Sequence, residues 1–554
     1  MSQSIANPYD AALKYWKSVR TRLEHTIQDY IQACEQLDSV LNTSLALTTR
    51  HLRDDAFAEL DLELPSLSSL EQTLSKSRCS LETLRNSSFR LSPINSIPSE
   101  ILLMIFSLAS QDWVEEEYVE TTNKTKANAC ILSSVCTLWR RLMLSSTSFW
   151  SHIELVLTGF STLPSLKTAE LWAQRSRGAL LDVSISESDK ATERNAEATY
   201  WSVSRAVEFL APLFPRVRKL KVHTDDGLAQ IIAKRFAKSW VNQGAVGSAE
   251  ALDIRLEEGL EVVSLPGDET DLSPQSFNAF FTSLRVLRLR NALIDLNGLG
   301  CTGLEELHLQ YLPGWNPTAS EIATILQANP RLRSLAFIDI SFFSDLPATT
   351  DPIALDRLEV LTLEGGIPFN LWSVLRLIKS SSDAVRLSFS MGNDAQYIDS
   401  LHSFLGRCRV TMLHLQGETR SELHISAILT PMPFLKTLIL RYFTLDDKIL
   451  QDFLRQRSSD PQPLHLWPNL ESFYLLGSNP SRDFVSRLGS LLLPAQELLI
   501  GEDPARHEEI LIEVEESGEL YDELSRRGVE LVWIDDSSHM FAWDPTTKWT
   551  FVHN

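Results

Sequence analysis

One short apolar pattern keeps returning along this 554-residue chain, and it limits the possible folds more than any other feature. Written apolar-x-x-apolar-x-apolar, it stands as Leu284, Leu287 and Leu289, and again as Leu304, Leu307 and Leu309. It recurs as Leu358, Leu361 and Leu363, and as Leu435, Leu438 and Leu440. Looser copies centre on Ile153, Val183, Leu220, Ile254, Leu335, Leu387, Leu413, Phe473, Leu498 and Val532. With 88 leucines in the chain the pattern alone says little, but its register says more. From Leu335 the middle positions fall at 361, 387, 413 and 438, in steps of 26, 26, 26 and 25. Each copy alternates as a strand does, sending successive side chains to opposite faces. Helix-like stretches such as TASEIATILQAN, LWSVLRLIKS and YIDSLHSFLG lie between them. A strand and a helix at a fixed period leave one apolar edge that only a neighbouring unit can cover, so the units must stack.

That reasoning predicts an α/β chain whose residues 151–535 form a solenoid of degenerate leucine-rich repeats. The segment before it has another character. Over residues 10–91, Trp16, Leu23, Tyr30 and Leu37 recur every seven residues, and Ile27, Cys34 and Leu41 make a second row. Leu60, Leu67, Leu74 and Leu81 repeat the spacing. Such seams predict a helical hairpin of coiled-coil type, closed on itself or pairing with another copy. Pro65, between the seams, suits the first turn of the second helix. Residues 92–150 read as short helices, with an acidic polar loop over about 111–128. The aromatic tail 536–554, with Phe541, Trp543, Trp549 and Phe551, suits a cap on the open end of a repeat array.

Charge and cysteine usage narrow the function. The net charge of −21 disfavours general nucleic-acid binding, which needs clustered Lys and Arg. None of the six cysteines forms a C-x-x-C pair, so zinc-ribbon and dithiol redox spacings are missing. The first residues lack the apolar core of a signal peptide, and no apolar run near the start approaches a membrane span. The expectation is a protein of a reducing compartment, cytoplasmic or nuclear, with no membrane and no cofactor. Enzyme motifs fail as well. Gly298, Gly300 and Gly303 spell G-x-G-x-x-G, but the residues after them read as a strand where a dinucleotide site needs a helix. No metal or catalytic set is expected, and the run Glu115, Glu116 and Glu117 reads as a solvated loop.

Alternation puts another set on the sheet face opposite the core: Lys219, Lys221, Arg288, Arg290, His308, His414, Tyr474 and Trp533. In a solenoid that face is the usual binding surface. The early positions are basic, which weakly suggests an acidic or phosphorylated target, and Tyr474 and Trp533 are the aromatic anchors to expect in a protein interface.

Within 97–150 the ordered set Ile97, Pro98, Glu100, Ile101, Leu102, Ile105 and Phe106, then Val135, Cys136, Trp139, Arg140 and Trp150, resembles an F-box. The stretch between Phe106 and Val135 is longer than in compact members of that family. The layout as a whole is similar to fungal F-box proteins with leucine-rich repeats. That resemblance implies a non-catalytic substrate receptor of a cullin–RING (SCF-type) ubiquitin ligase. Ile97, Pro98, Glu100, Ile101, Leu102, Ile105, Phe106, Val135, Cys136, Trp139 and Trp150 would form or support the surface for a Skp-type adaptor and, through it, a cullin. The repeats would hold an unknown target protein. The alternative is an interaction scaffold in which the F-box-like segment only caps the repeats.

Overall fold

The computed structural model describes residues 8–43, 50–86, 93–111 and 122–157, then most of the chain to 422. Beyond that it describes 432–445, 467–476, 479–480, 497–501 and 530–534. The tail 536–554 and the acidic run at 115–117 lie outside the described residues. The chain divides into two units, residues 1–98 and 99–554.

In the first unit, helix α1 spans Pro8–Thr43 and α2 spans Arg50–Asn86. Both exist where the heptad rows predict them. The role expected of Pro65 is corrected: α2 begins fifteen residues earlier and carries Pro65 inside. An interior Pro removes one N–H from the helical ladder. Ser66 folds back here, its Oγ donating to the Glu63 carbonyl at 2.8 Å. The leucine row passes through the proline without losing phase, so the apolar stripe continues across the break.

The second unit begins with three helices: α3 (Ser99–Gln111), α4 (Thr122–Val135) and α5 (Thr137–Ser145). Here too a reading is corrected, since residues 122–128 open α4 and are not loop. The polar run TNKTKAN has no apolar period to announce a helix, yet Lys and Ala are good helix formers. Ala129, on the next turn, is buried.

A mixed α/β architecture follows, built on one large parallel sheet. Its strands hydrogen-bond in chain order, from His152–Leu157, Leu181–Glu187, Val217–Thr224 and Ala251–Leu256 onward. The order runs through Val286–Arg290, Glu306–Gln310, Ser334–Ile338, Val360–Glu364, Val385–Ser390 and Val410–Glu422. It ends with Thr437–Leu445, Ser472–Leu476, Glu497–Gly501 and Glu530–Ile534. The register aligns the pattern residue by residue: Leu287 with Leu307, Leu307 with Leu335, Leu335 with Leu361, Leu361 with Leu387, and Leu387 with Leu413. A second row aligns Leu289, Leu309, Phe337, Leu363, Phe389, Leu415 and Leu440. These two rows form the sheet side of the core, against Ala206, Phe236, Trp240, Ile322, Leu326, Leu375 and Phe404 from the intervening helices.

Two further regularities follow the strands. Two residues past the last core residue φ turns positive, at 50–61° in Asn291, Tyr311, Asp339 and Tyr442 and at 147° in Gly365. The first three then donate their N–H to the end of the next strand, at Gln310, Ile338 and Glu364, over 3.1, 2.9 and 2.8 Å. At the opposite end, just ahead of the strands, Arg218, Glu250, Arg285, Glu305, Arg333 and Glu359 alternate in sign along one backbone ladder. Pairs form across it, with Arg333 and Glu359 at 2.8 Å and Arg285 and Glu305 at 3.7 Å. Each is worth little at the surface, but the alternation gives neighbouring strands opposite charges and favours their order.

Candidate protein-binding surfaces

The three-helix segment has an inner and an outer apolar face. On α3, Leu102 and Phe106 are buried, and the Phe106 ring packs 4.6 Å from that of Trp139 on α5. Cys136 caps α5, its Sγ accepting the Trp139 N–H at 3.5 Å. Trp150 is fully buried: its Nε1 donates to the Met143 carbonyl at 2.8 Å, Arg175 lies 4.3 Å over its ring, and Trp172 meets it edge-on. These residues hold the segment together and fasten it to helix α6 (Pro164–Ser176) beside the first strand. Leu102, Phe106 and Trp150 therefore support a surface from beneath and do not form one, while Cys136 and Trp139 are half-buried.

The outer face is made by residues that sequence reasoning only partly named. Ile101, Met104, Ile105 and Leu108 stand at i, i+3, i+4 and i+7 of α3 and are all exposed. Ile131 and Val135 of α4 and Leu144 of α5 are also exposed apolar residues of this segment. Met104, Ile131 and Leu144 add to the predicted Ile101, Ile105 and Val135, and Leu108 joins them because its helical spacing sets it on the face of Ile101 and Ile105. Ile97 is half-buried, and Pro98 and Glu100 are exposed.

The sheet face opposite the core is arranged differently from what alternation suggests. Its central row runs Glu154, Ser184, Lys221, Asp253, Arg288, His308, Ala336, Thr362, Ser388, His414, Ile439 and Tyr474. These positions point away from the core, yet most are buried. His308 is 7% exposed, His414 2% and Tyr474 4%. Parallel strands stand about 4.8 Å apart, so row neighbours cover one another. Tyr474 is therefore not an accessible anchor. Trp533 is corrected as well: the ladder aligns it with Ile500 and Leu475, in line with core positions, and places Val532 in line with Tyr474.

The basic positions are largely neutralised in place. Arg288 meets Glu306 at 2.6 Å and Asp253 at 3.8 Å, and Arg255 meets Asp253 at 3.0 Å. Burial works against the charge of Asp253, but Arg255, Lys221 and Arg288 outweigh it and hold the carboxyl below its usual range. Lys219 lies 3.9 Å from Asp182, and Arg290 belongs to the row that borders this cluster. Reversing Arg288 would strand a buried carboxylate, so the arginines are structural before they are recognition groups. Three others, Arg331, Arg357 and Arg386, line an open groove of about 830 Å³ together with Glu305, Asp356 and Asp383 and the Arg333–Glu359 and Lys436–Glu471 pairs, so the groove carries both signs.

His414 meets Ser388 through Nδ1 at 2.6 Å, and Ser388 donates in turn to Glu364. Glu364 also lies 3.6 Å from the same Nδ1. A nucleophile relay needs the serine on one ring nitrogen and the orienting carboxylate on the other, so this buried trio is a polar network. His308 Nε2 pairs with Ser334 Oγ at 2.8 Å. Burial pushes the Cys301 thiol up to about 12 and Cys408 to about 11, far from the range of a reactive thiolate. Gly303 is followed by the strand Glu306–Gln310, as the sequence predicts. Among the described residues no three His, Cys, Asp or Glu stand close enough to hold a metal, and no helix is long and apolar enough to cross a membrane. No family model matches this chain, and no curated protein matches its sequence.

Proposed function

We propose that this chain is the substrate-receptor subunit of a cullin–RING ubiquitin ligase, with residues 99–150 as an F-box that binds a Skp-type adaptor. The observation that carries the reading is the exposed apolar stripe Ile101, Met104, Ile105 and Leu108, backed by a rigid inner layer of Leu102, Phe106 and Trp139. Contiguous exposed apolar surface on a well-packed support is the mark of a protein-docking site. The resemblance of Ile97–Phe106 and Val135–Trp150 to the F-box pattern gives that site its partner class.

The parallel sheet with its 26-residue register supports reading 151–535 as a leucine-rich-repeat solenoid that holds the target. The accessible positions there flank the buried central row, and the groove with Arg331, Arg357 and Arg386 is the candidate area. The chain supplies no chemistry in this scheme. It raises the local concentration of a target lysine near charged ubiquitin.

Titration of the chain with the host's Skp-type adaptor tests the surface. Ile101→Asp with Ile105→Asp changes only exposed positions and leaves the fold intact by circular dichroism. It raises the adaptor dissociation constant at least about a hundredfold, as for hot-spot losses. Unchanged binding by this variant places the adaptor elsewhere on the chain, and no binding by the folded wild-type chain leaves the three helices as a cap, which is the scaffold reading.

A further inference from the structure

Helices α1 and α2 leave an unusual amount of apolar surface uncovered. Among the described residues, eighteen large apolar side chains between Tyr9 and Leu84 are exposed, including the heptad residues Trp16, Leu23, Ile27, Tyr30, Leu37, Leu74 and Leu81. At about half exposure of the 150–250 Å² that a large side chain presents, the hairpin shows on the order of 1,500 Å² of apolar surface. A standard interface removes about 800 Å² from each partner. A second hairpin is therefore enough to cover the seam.

The charges name the occupant. α1 is about 54 Å long at 1.5 Å per residue, and the six residues that join it to α2 span at most about 20 Å. Tyr30 on α1 and Glu63 on α2 each lie thirteen residues from that join, which sets them side by side when α2 folds back along α1. The two residues sense one another in the fold: the Tyr30 phenol is pushed up first by Cys34, one turn along, and in smallest part by Glu63. In this antiparallel pair like charges come side by side. The half nearer the join, 24–43 with 50–63, carries nine carboxylates, Glu24, Asp29, Glu35 and Asp38 on α1 and five on α2, against Arg50 and Arg53, a net charge of −7. The other half, 8–22 with 71–86, carries Lys14, Lys17, Arg20, Arg22, Lys76, Arg78 and Arg85 against Asp10, Glu71 and Glu82, the last paired with Arg78, a net charge of +4. The hairpin is a rod with one acidic and one basic end. A parallel neighbour would double each repulsion, whereas an antiparallel copy sets every basic segment against an acidic one.

We propose that residues 8–86 are a self-association module: two copies of this chain pair antiparallel as a four-helix bundle, seam to seam and basic end to acidic end. Such a two-fold interface is self-complementary. It delivers two copies of everything that follows it in the chain.

The test uses the full chain. Sedimentation equilibrium at micromolar concentration gives twice the chain mass, about 125 kDa against 62.5 kDa. Zero-length carbodiimide cross-linking of mixed ¹⁴N and ¹⁵N chains then gives mixed-isotope links from Lys14 or Lys17 to Glu35, Asp38, Glu59 or Asp61. Lys14→Glu, Lys17→Glu, Arg20→Glu and Arg22→Glu together weaken self-association at least about tenfold. Adding a second chain with Glu24→Lys, Asp29→Lys, Glu35→Lys and Asp38→Lys restores a mixed pair. Three results overturn the proposal: a monomer at tens of micromolar, a dimer indifferent to the charge reversal, or isotope-mixed links that join like ends.

Discussion

At the scale of single residues, two buried side chains do work that no sequence pattern announces. Asn329 is 1% exposed. Its Oδ1 accepts the N–H groups of Gly303 and Leu304, each at 2.9 Å, and its Nδ2 donates to the Ile325 carbonyl at 2.9 Å. One amide thus joins a helix end to the strand entry one repeat earlier. Asn329→Ala leaves two buried donors unmet and lowers unfolding free energy by about 2–4 kcal/mol in chemical denaturation. A loss under 0.5 kcal/mol would show that the bridge is dispensable. His308 supplies a pH signature. Burial first, then Arg288, holds its imidazole well below the ordinary value, so it is neutral in the fold. The unfolded chain takes up that proton below about pH 6.5. Stability from His308 is therefore complete above that pH and falls as the pH drops below it. Between pH 7 and 5.5 the wild-type chain loses more stability than His308→Asn, and parallel curves would contradict this assignment. Asp253 acts in a separate window: its depressed pKa contributes stability above the ordinary carboxylate range, which is lost as the pH falls through it.

Among elements, the left-handed turn after the strands is the best example of order hidden from sequence. Asn291, Tyr311, Asp339 and Tyr442 share a backbone state, with φ between 50° and 61°, but no common side chain, so no consensus residue marks it. The state is set by the next strand, whose carbonyl receives the turn's N–H at the first three of these positions. Because a β-branched side chain tolerates that conformation poorly, Asp339→Val costs about 1–3 kcal/mol and Asp339→Gly does not. Equal melting temperatures for the two variants would sink the idea. The strands themselves were legible, because Leu-x-Leu alternation and a 26-residue step are direct consequences of stacking. The position expected for Pro65 was wrong because a proline's fixed φ is itself helical, so the helix runs through it at the loss of one ladder N–H. The accessibility of Tyr474, His308 and His414 was misjudged because alternation gives direction, whereas burial depends on row neighbours 4.8 Å away. In α3 the inner face of the candidate site was legible from Leu102 and Phe106. On its outer face Ile101, Ile105 and Leu108 were legible from helical spacing, and Met104 was not, since it lies outside both that row and the F-box pattern.

On the scale of the whole molecule, the chain joins three kinds of surface. A charge-polarised hairpin suits a second copy, a three-helix segment exposes one apolar stripe, and a long parallel sheet keeps its central row closed and its flanking rows open. Only the stripe has a partner class that its residues suggest, so the functional account stands on it. The most direct measurement is co-expression of the full chain with the host's Skp-type adaptor, followed by purification through the chain alone. The account predicts one adaptor per chain, retained through size exclusion and absent when Ile101 and Ile105 are both Asp. A folded wild-type chain that elutes without adaptor would contradict it.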